Sequence, residues 1–174
     1  GERYLGRFHH HVVALDQLAA ELGRVLQARC LMLATAESCT AGWVSKVVTD
    51  IPGSSAWFDR GFVTYSDAAK QEMLAVSAAG LAEHGAVSAE VVREMALGTL
   101  ANSRADVAVA VSGIAGPDGG SEEKPVGTVF FAWSLREGEP LVQRLQFAGD
   151  REEVRHQSVR VALERLLELL ETGG

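Results

Sequence analysis

The chain has 174 residues, of which 47% are hydrophobic and 22% charged, and a formal net charge of -7. That length suits one domain, 1–174, with a sizeable core, and the acidic balance argues against a general nucleic-acid binder, which carries a basic face. No apolar run reaches the roughly 20 residues that span a bilayer, and no secretory signal pattern opens the chain.

Leu15, Leu18, Ala19, Leu22, Val25 and Leu26 recur at helical spacing and predict an amphipathic helix over about 12–28. Cys30 to Ala36 is an almost unbroken apolar run, as in a strand covered on both faces. A tight turn follows, Ala36-Glu37-Ser38-Cys39-Thr40-Ala41-Gly42, with Ser38 at its tip. A helix is expected over 40–50, broken by Ile51-Pro52-Gly53-Ser54-Ser55. Arg60 to Tyr65 reads as a second strand. Ser66 caps a short helix over 67–74. Residues 80–87 read as irregular, and Ser88 caps a helix to about residue 103. Val107 to Val111, all small and apolar, reads as a central strand. It runs into a glycine-rich loop, Ser112 to Pro125, long enough to be functional. Strands over 128–135 and 141–147, joined by a short link, form an antiparallel hairpin. Asp150 with Glu153 resembles a capping box for a last helix over 151–171.

Helices alternate with strands and a hairpin precedes the last helix. The pattern predicts a three-layer α/β/α sandwich on a mixed, mostly parallel sheet. Ligands of such sheets bind beyond the carboxyl ends of the strands. Ser38, Tyr65 and Ser112 each lie at such an end, so parallel strands would bring them to one edge.

A serine before a helix is a cap or a nucleophile, and the helix start beyond it favours an anion. No Ser/His/Asp arrangement is evident, so a base for Ser38 is sought among the lysines, which lose their proton when desolvated. There are three, Lys46, Lys70 and Lys124, against thirteen arginines. Lys70 lies beside the expected edge, and it is either a base or a solvated helix lysine. Tyr65 relays a proton or anchors a strand end. Cys39 packs, or is itself a nucleophile. The Ser112–Gly120 stretch is an anion cradle or a structural loop, and it matches neither the P-loop nor the dinucleotide fingerprint. Asp118, Glu122 and Glu123 fit no calcium loop and read as solvated carboxylates. Arg151 and Arg155 reach a phosphate or carboxylate, or lie on the surface. Cys30 and Cys39 match no metal spacing and read as reduced intracellular thiols. His9, His10 and His11 receive no function.

These segments, with Pro52-Gly53-Ser54-Ser55, Tyr65-Ser66-Asp67-Ala68-Ala69-Lys70, His84-Gly85-Ala86-Val87-Ser88, Lys124-Pro125-Val126-Gly127-Thr128 and Gly149-Asp150-Arg151, stand in an order that closely resembles the CinA C-terminal domain family over about 30–172. The resemblance implies hydrolysis of the carboxamide of nicotinamide mononucleotide to nicotinate mononucleotide and ammonia, in pyridine-nucleotide salvage. It implies Ser38 as nucleophile, Lys70 as base and Tyr65 beside them. It places Thr40 and the Ser112–Gly116 loop at the nucleotide; Glu37, Gly42, Ser112, Gly113, Ala115 and Gly116 are expected there too, with Arg151 or Arg155 assisting at its phosphate. No metal and no organic cofactor are implied. The expected partner is a small nucleotide substrate, with no nucleic acid and no membrane, in a cytoplasmic homo-oligomer. The family usually has Asn where this chain has Asp67, and often an acid where it has Ala68. A carboxylate near Lys70 raises its pKa. Two other functions fit the same residues: a nucleotide-sensing module without catalysis, and an amidase for another carboxamide.

Overall fold

The computed structural model describes residues 14–172. Five strands make one sheet in the order β2-β1-β3-β4-β5. They are β1 (Leu33–Glu37), β2 (Phe58–Val63), β3 (Val107–Gly113), β4 (Thr128–Leu135) and β5 (Leu141–Gln146). β1 runs parallel to β2 and β3, and β4 and β5 add antiparallel on one side. Helices α1 (Leu15–Ala28), α2 (Trp43–Thr49) and α6 (Arg151–Thr172) cover one face. The other carries α3 (Asp67–Leu74), α4 (Ala78–His84) and α5 (Ala89–Ala101). The three-layer architecture and the mixed sheet are as the alternation of elements predicts.

Side-chain size sorts the two faces. Val107, Val109 and Val111 of β3 join the core under α1 and α6, with Leu18, Leu22, Leu163 and Leu166. Burying each such leucine contributes about 1.5–3 kcal/mol. Ala36, Ala110 and Ala132 meet Val92 and Met95 on the opposite face, and Ala34 and Ala108 meet Leu100. Alanines there let α5 lie close to the sheet. α5 also approaches α3 closely, since a Cβ on Gly98 would stand 2.1 Å from the Leu74 carbonyl oxygen.

Four elements shift from the sequence reading, the second strand among them, since β2 spans Phe58–Val63 rather than 60–65 and Tyr65 lies just beyond it. β1 starts at Leu33 because Cys30 has φ 57, a turn conformation. α2 starts at Trp43 because Ala41 (φ 46) and Gly42 (φ 97) are left-handed. The stretch read as irregular contains α4, capped by the Ser77 hydroxyl, which accepts from the Gly80 N–H. Only Leu81 of α4 is buried, so no apolar period marks it. Residues 12 and 13 of the first helix, and His9 to His11, lie outside the described residues. Glu37 stands level with Val63 on β2 and with Val111 on β3. β1 and β2 therefore end together, β3 runs two residues further, and Ser38, Tyr65 and Ser112 meet at one edge.

Candidate active site

The turn after β1 is built on Glu37. Its buried carboxylate accepts from the Thr40 hydroxyl at 2.7 Å, the Val44 N–H at 2.7 Å, the Ser45 N–H at 3.0 Å and the Ser45 hydroxyl at 2.9 Å. Glu37 thus occupies the start of α2, where the sequence reading expected room for an anion. Ser38 sits at the bend this knot creates. Its own N–H donates to the Val111 carbonyl at 3.0 Å, fastening the turn to β3.

Lys70 reaches Ser38 from α3. Its side chain is only 1% exposed, the largest of the fully buried ones. Nζ lies 2.8 Å from the Thr64 carbonyl oxygen, 3.2 Å from that of Tyr65 and 3.0 Å from Ser38 Oγ. Two carbonyls can only accept, so they take two N–H bonds and the third valence of nitrogen points at the hydroxyl. In the ammonium that valence is an N–H donating to Ser38 Oγ, whose own hydroxyl donates to the Tyr65 carbonyl at 3.4 Å; in the neutral amine it is a lone pair within reach of the Ser38 proton. Burial pushes the Lys70 pKa below the ordinary lysine value, while the negative charge of Asp67 pulls it back up. Burial also pushes the Cys39 thiol up to about 12, so it stays protonated and packs.

A cavity of about 310 Å³ opens beside Ser38 and Lys70. The glycine-rich loop from Ser112 to Gly116 forms one wall, and Ala86 with Val87 another. Two bonds tie these walls together. Ser112 Oγ donates to the Ala86 carbonyl at 2.9 Å, and Lys124 Nζ donates to the carbonyls of His84 and Val87. Arg151 leans in from the start of α6, where Asp150 and Glu153 exchange the two hydrogen bonds of a capping box. Its guanidinium donates to the Gly116 carbonyl at 2.8 Å and lies 3.4 Å from the Tyr65 hydroxyl. Five N–H donors on a fixed fork leave others open for an anion.

Residues 15–170 match the CinA C-terminal domain family. The chain belongs to that family. Escherichia coli has a relative named nicotinamide-nucleotide amidohydrolase PncC, 59% identical over 152 residues, which are 87% of this chain and 92% of the relative. A Pseudomonas putida protein of the same name is 52% identical over 156 residues, 89% of this chain and 96% of its own. Among solved structures, the competence damage-inducible protein A of Klebsiella pneumoniae is similar at TM-score 0.90 and 46% identity, covering 93% of this chain and 100% of that one.

In this CinA C-terminal domain the residues expected at the site divide into two groups. Ser38, Tyr65, Lys70, Ser112, Gly113, Ala115, Gly116 and Arg151 line the cavity. Glu37, Thr40 and Gly42 do not line it but shape the turn behind it: Thr40 is bonded to Glu37, and Gly42 takes the left-handed step into α2. Arg155 also stays behind the wall. It donates to the carbonyls of Cys39 at 2.9 Å and Thr40 at 3.3 Å, and stacks on Trp43 at 5.6 Å. The sequence reading passed over Ala86 and Val87 as lining and read Cys39 as packing, yet all three are on the cavity wall, where the exposed Asp118 also stands. The motif His84-Gly85-Ala86-Val87-Ser88 was the signal for the first two. Among the described residues no helix is long and apolar enough to cross a membrane.

Proposed function

We propose that this chain hydrolyses the carboxamide of nicotinamide mononucleotide to nicotinate mononucleotide and ammonia, in pyridine-nucleotide salvage, with Ser38 as nucleophile and Lys70 as base. The observation that carries the mechanism is the 3.0 Å contact between Lys70 Nζ and Ser38 Oγ, in a buried place where two carbonyls aim the amine. The substrate is supported by the name of the relatives that align with nearly the whole chain.

Lys70 takes the hydroxyl proton as Ser38 Oγ attacks the amide carbon. The oxyanion is held by backbone N–H groups of the wall, and those of Cys39, Ala115 and Gly116 donate to no other described residue. Lys70 passes its proton to the departing nitrogen, which leaves as ammonia. Water then adds to the acyl-enzyme, its proton goes to Lys70, and the carboxylate departs as Ser38 is reprotonated. Arg151 receives the phosphate. Tyr65, whose hydroxyl lies against Arg151, closes the cavity mouth over it. The enzyme is read as a cytoplasmic homo-oligomer with one domain over 1–174, in line with the family resemblance and the unpaired Cys30 and Cys39.

The test is ammonia release from nicotinamide mononucleotide with a chelator present. Ser38→Ala is expected to lower kcat by about a thousandfold or more, and Lys70→Met by about 10²–10⁴-fold, with circular dichroism unchanged. Normal turnover in either variant removes that residue from the mechanism. Binding without release in the unaltered protein would leave a sensing module instead.

A further inference from the structure

Among the described residues Lys124 pairs with no carboxylate, although Glu122 and Glu123 precede it. Its half-buried ammonium donates instead to the carbonyls of His84, at 3.0 Å, and Val87. The Phe130 ring of β4 steadies it, 5.8 Å from Nζ. Arg144 stands 5.6 Å from the same ring and donates to the Glu123 carbonyl at 2.6 Å, so the chain beside Lys124 is held as well. The segment it grips is the link between α4 and α5, where Ala86 and Val87 line the cavity. Each of the four carbonyls from His84 to Val87 accepts from a side chain. Ser88 Oγ holds Gly85 at 2.7 Å, Ser112 Oγ holds Ala86 at 2.9 Å, and Lys124 holds the outer two. Three of these four bonds come from the glycine-rich loop, whose inner limb, Ser112 to Gly116, is the other wall. The two limbs of that loop are themselves joined. The Gly127 N–H donates to the Ile114 carbonyl at 2.8 Å, and a Cβ on Gly116 would stand 2.5 Å from Val126. Lys124 therefore fixes one wall of the cavity against the other, and it bonds to neither Ser38 nor Lys70.

We propose that Lys124 is a positioning residue: it clasps the two walls at the separation that admits the substrate, and so sets affinity while taking no part in the chemical step. The proposal rests on the nucleotide reading above for the ligand, and on the four carbonyls for the clasp. Without the ammonium, the link between α4 and α5 keeps only Ser88 and Ser112 and samples open arrangements. Apparent affinity then falls by the fraction of the time that the closed arrangement is populated. Removing hydrogen bonds to a charged group moves such a population by about tenfold or more. Ser38 and Lys70 stand on β1, β2 and α3, so a substrate once bound meets the same nucleophile and base.

The test compares Lys124→Met, which keeps the stem and loses the donors, with Lys124→Arg, which keeps donors and charge. Three quantities are read: KM and kcat for nicotinamide mononucleotide, its calorimetric Kd in the Ser38→Ala background, and backbone order parameters of the ligand-free protein by NMR relaxation. In Lys124→Met, Kd and KM should each rise about tenfold while kcat stays within about twofold, with Lys124→Arg in between. The order parameters of the Ala86 and Val87 amides should fall from about 0.85 toward 0.6 or below, and those of β1 and β3 should not move. Unchanged Kd and KM overturn the proposal, whether or not the melting temperature drops, since the lysine is then merely structural. A fall in kcat at constant KM overturns it too, by assigning Lys124 to the chemistry. So does a raised Kd with rigid Ala86 and Val87, which makes the lysine a direct ligand contact rather than a clasp. If the protein with Lys124 intact does not bind the mononucleotide, the substrate reading fails and takes the affinity claim with it. Weakened binding in Lys124→Met with the expected loosening, but no ammonia release by the unaltered enzyme, upholds the proposal and removes only the amidase step.

Discussion

At Lys70 the burial that the site needs conflicts with a charge that the sequence supplies. Desolvation favours the neutral amine, and Asp67, three residues earlier on α3, favours the ammonium. Only the neutral form accepts the Ser38 proton. Above its lowered pKa Lys70 is competent and below it is blocked, so kcat/KM for the amide should rise with pH through that value. Asp67→Asn removes the charge that raises the pKa and should move the rising limb to lower pH. A pH–rate profile of both proteins checks this, and an unmoved limb would detach Asp67 from the base. The same shift affects folding. Between the lowered pKa and 10.5 the unfolded chain holds a proton that the native state lacks, so stability grows with pH across that window. Ser38, Lys70 and Tyr65 were legible in the sequence as residue types in family order. The aiming of Lys70 was not, because it depends on the carbonyls of Thr64 and Tyr65, and carbonyl direction is set by the tertiary course of the chain. Asp118 is exposed, as a solvated loop carboxylate should be, although it also borders the cavity, which nothing local in the sequence shows.

Elements hold these groups in register through two close fits. One is the Glu37 knot, where a single buried carboxylate binds four donors of the turn and of α2. Glu37→Ala leaves the buried Val44 N–H and the half-buried Ser45 N–H unpaired and should cost about 3 kcal/mol, given about 1–3 kcal/mol per orphaned buried group. Thermal unfolding measures that cost, and kcat should fall too as Ser38 loses its seat. The other is the contact of Gly98 on α5 with the end of α3. Leu74 lies one turn beyond Lys70 on that helix, so Gly98→Ala should push α3 outward. Overpacking of this kind costs about 1–3 kcal/mol. Here kcat should drop more than KM rises, since the base moves and Arg151 does not, and steady-state kinetics would separate the two. The helical and strand periods made most elements visible beforehand. α4 escaped because it is short, carries Gly80 and buries only Leu81. The true start of α2 escaped because a side chain from the preceding strand supplies its cap.

At the scale of the whole molecule, the sheet order places the chemistry. β1, β2 and β3 run parallel in the order β2-β1-β3 toward one edge, and one residue group comes from the end of each. The alternation of elements was enough to predict three layers and a mixed sheet. It did not show which face each helix takes, which follows from the sorting of valines and alanines on β3. Nor did it show that α6 reaches back to the first strand. Arg155 crosses more than a hundred residues of sequence to hold the carbonyls of Cys39 and Thr40, and Arg151 reaches Gly116. A ribosome delivers the chain from the amino end, and domains fold as units during that delivery. While α6 is still in the exit tunnel, Ser38 and Lys70 have both emerged but the turn between β1 and α2 lacks its clamp. A chain that stops before α6 lacks the Arg155 clamp on the Ser38 turn and is expected to be inert, so the Ser38–Lys70 pair should be held in place only once α6 has docked.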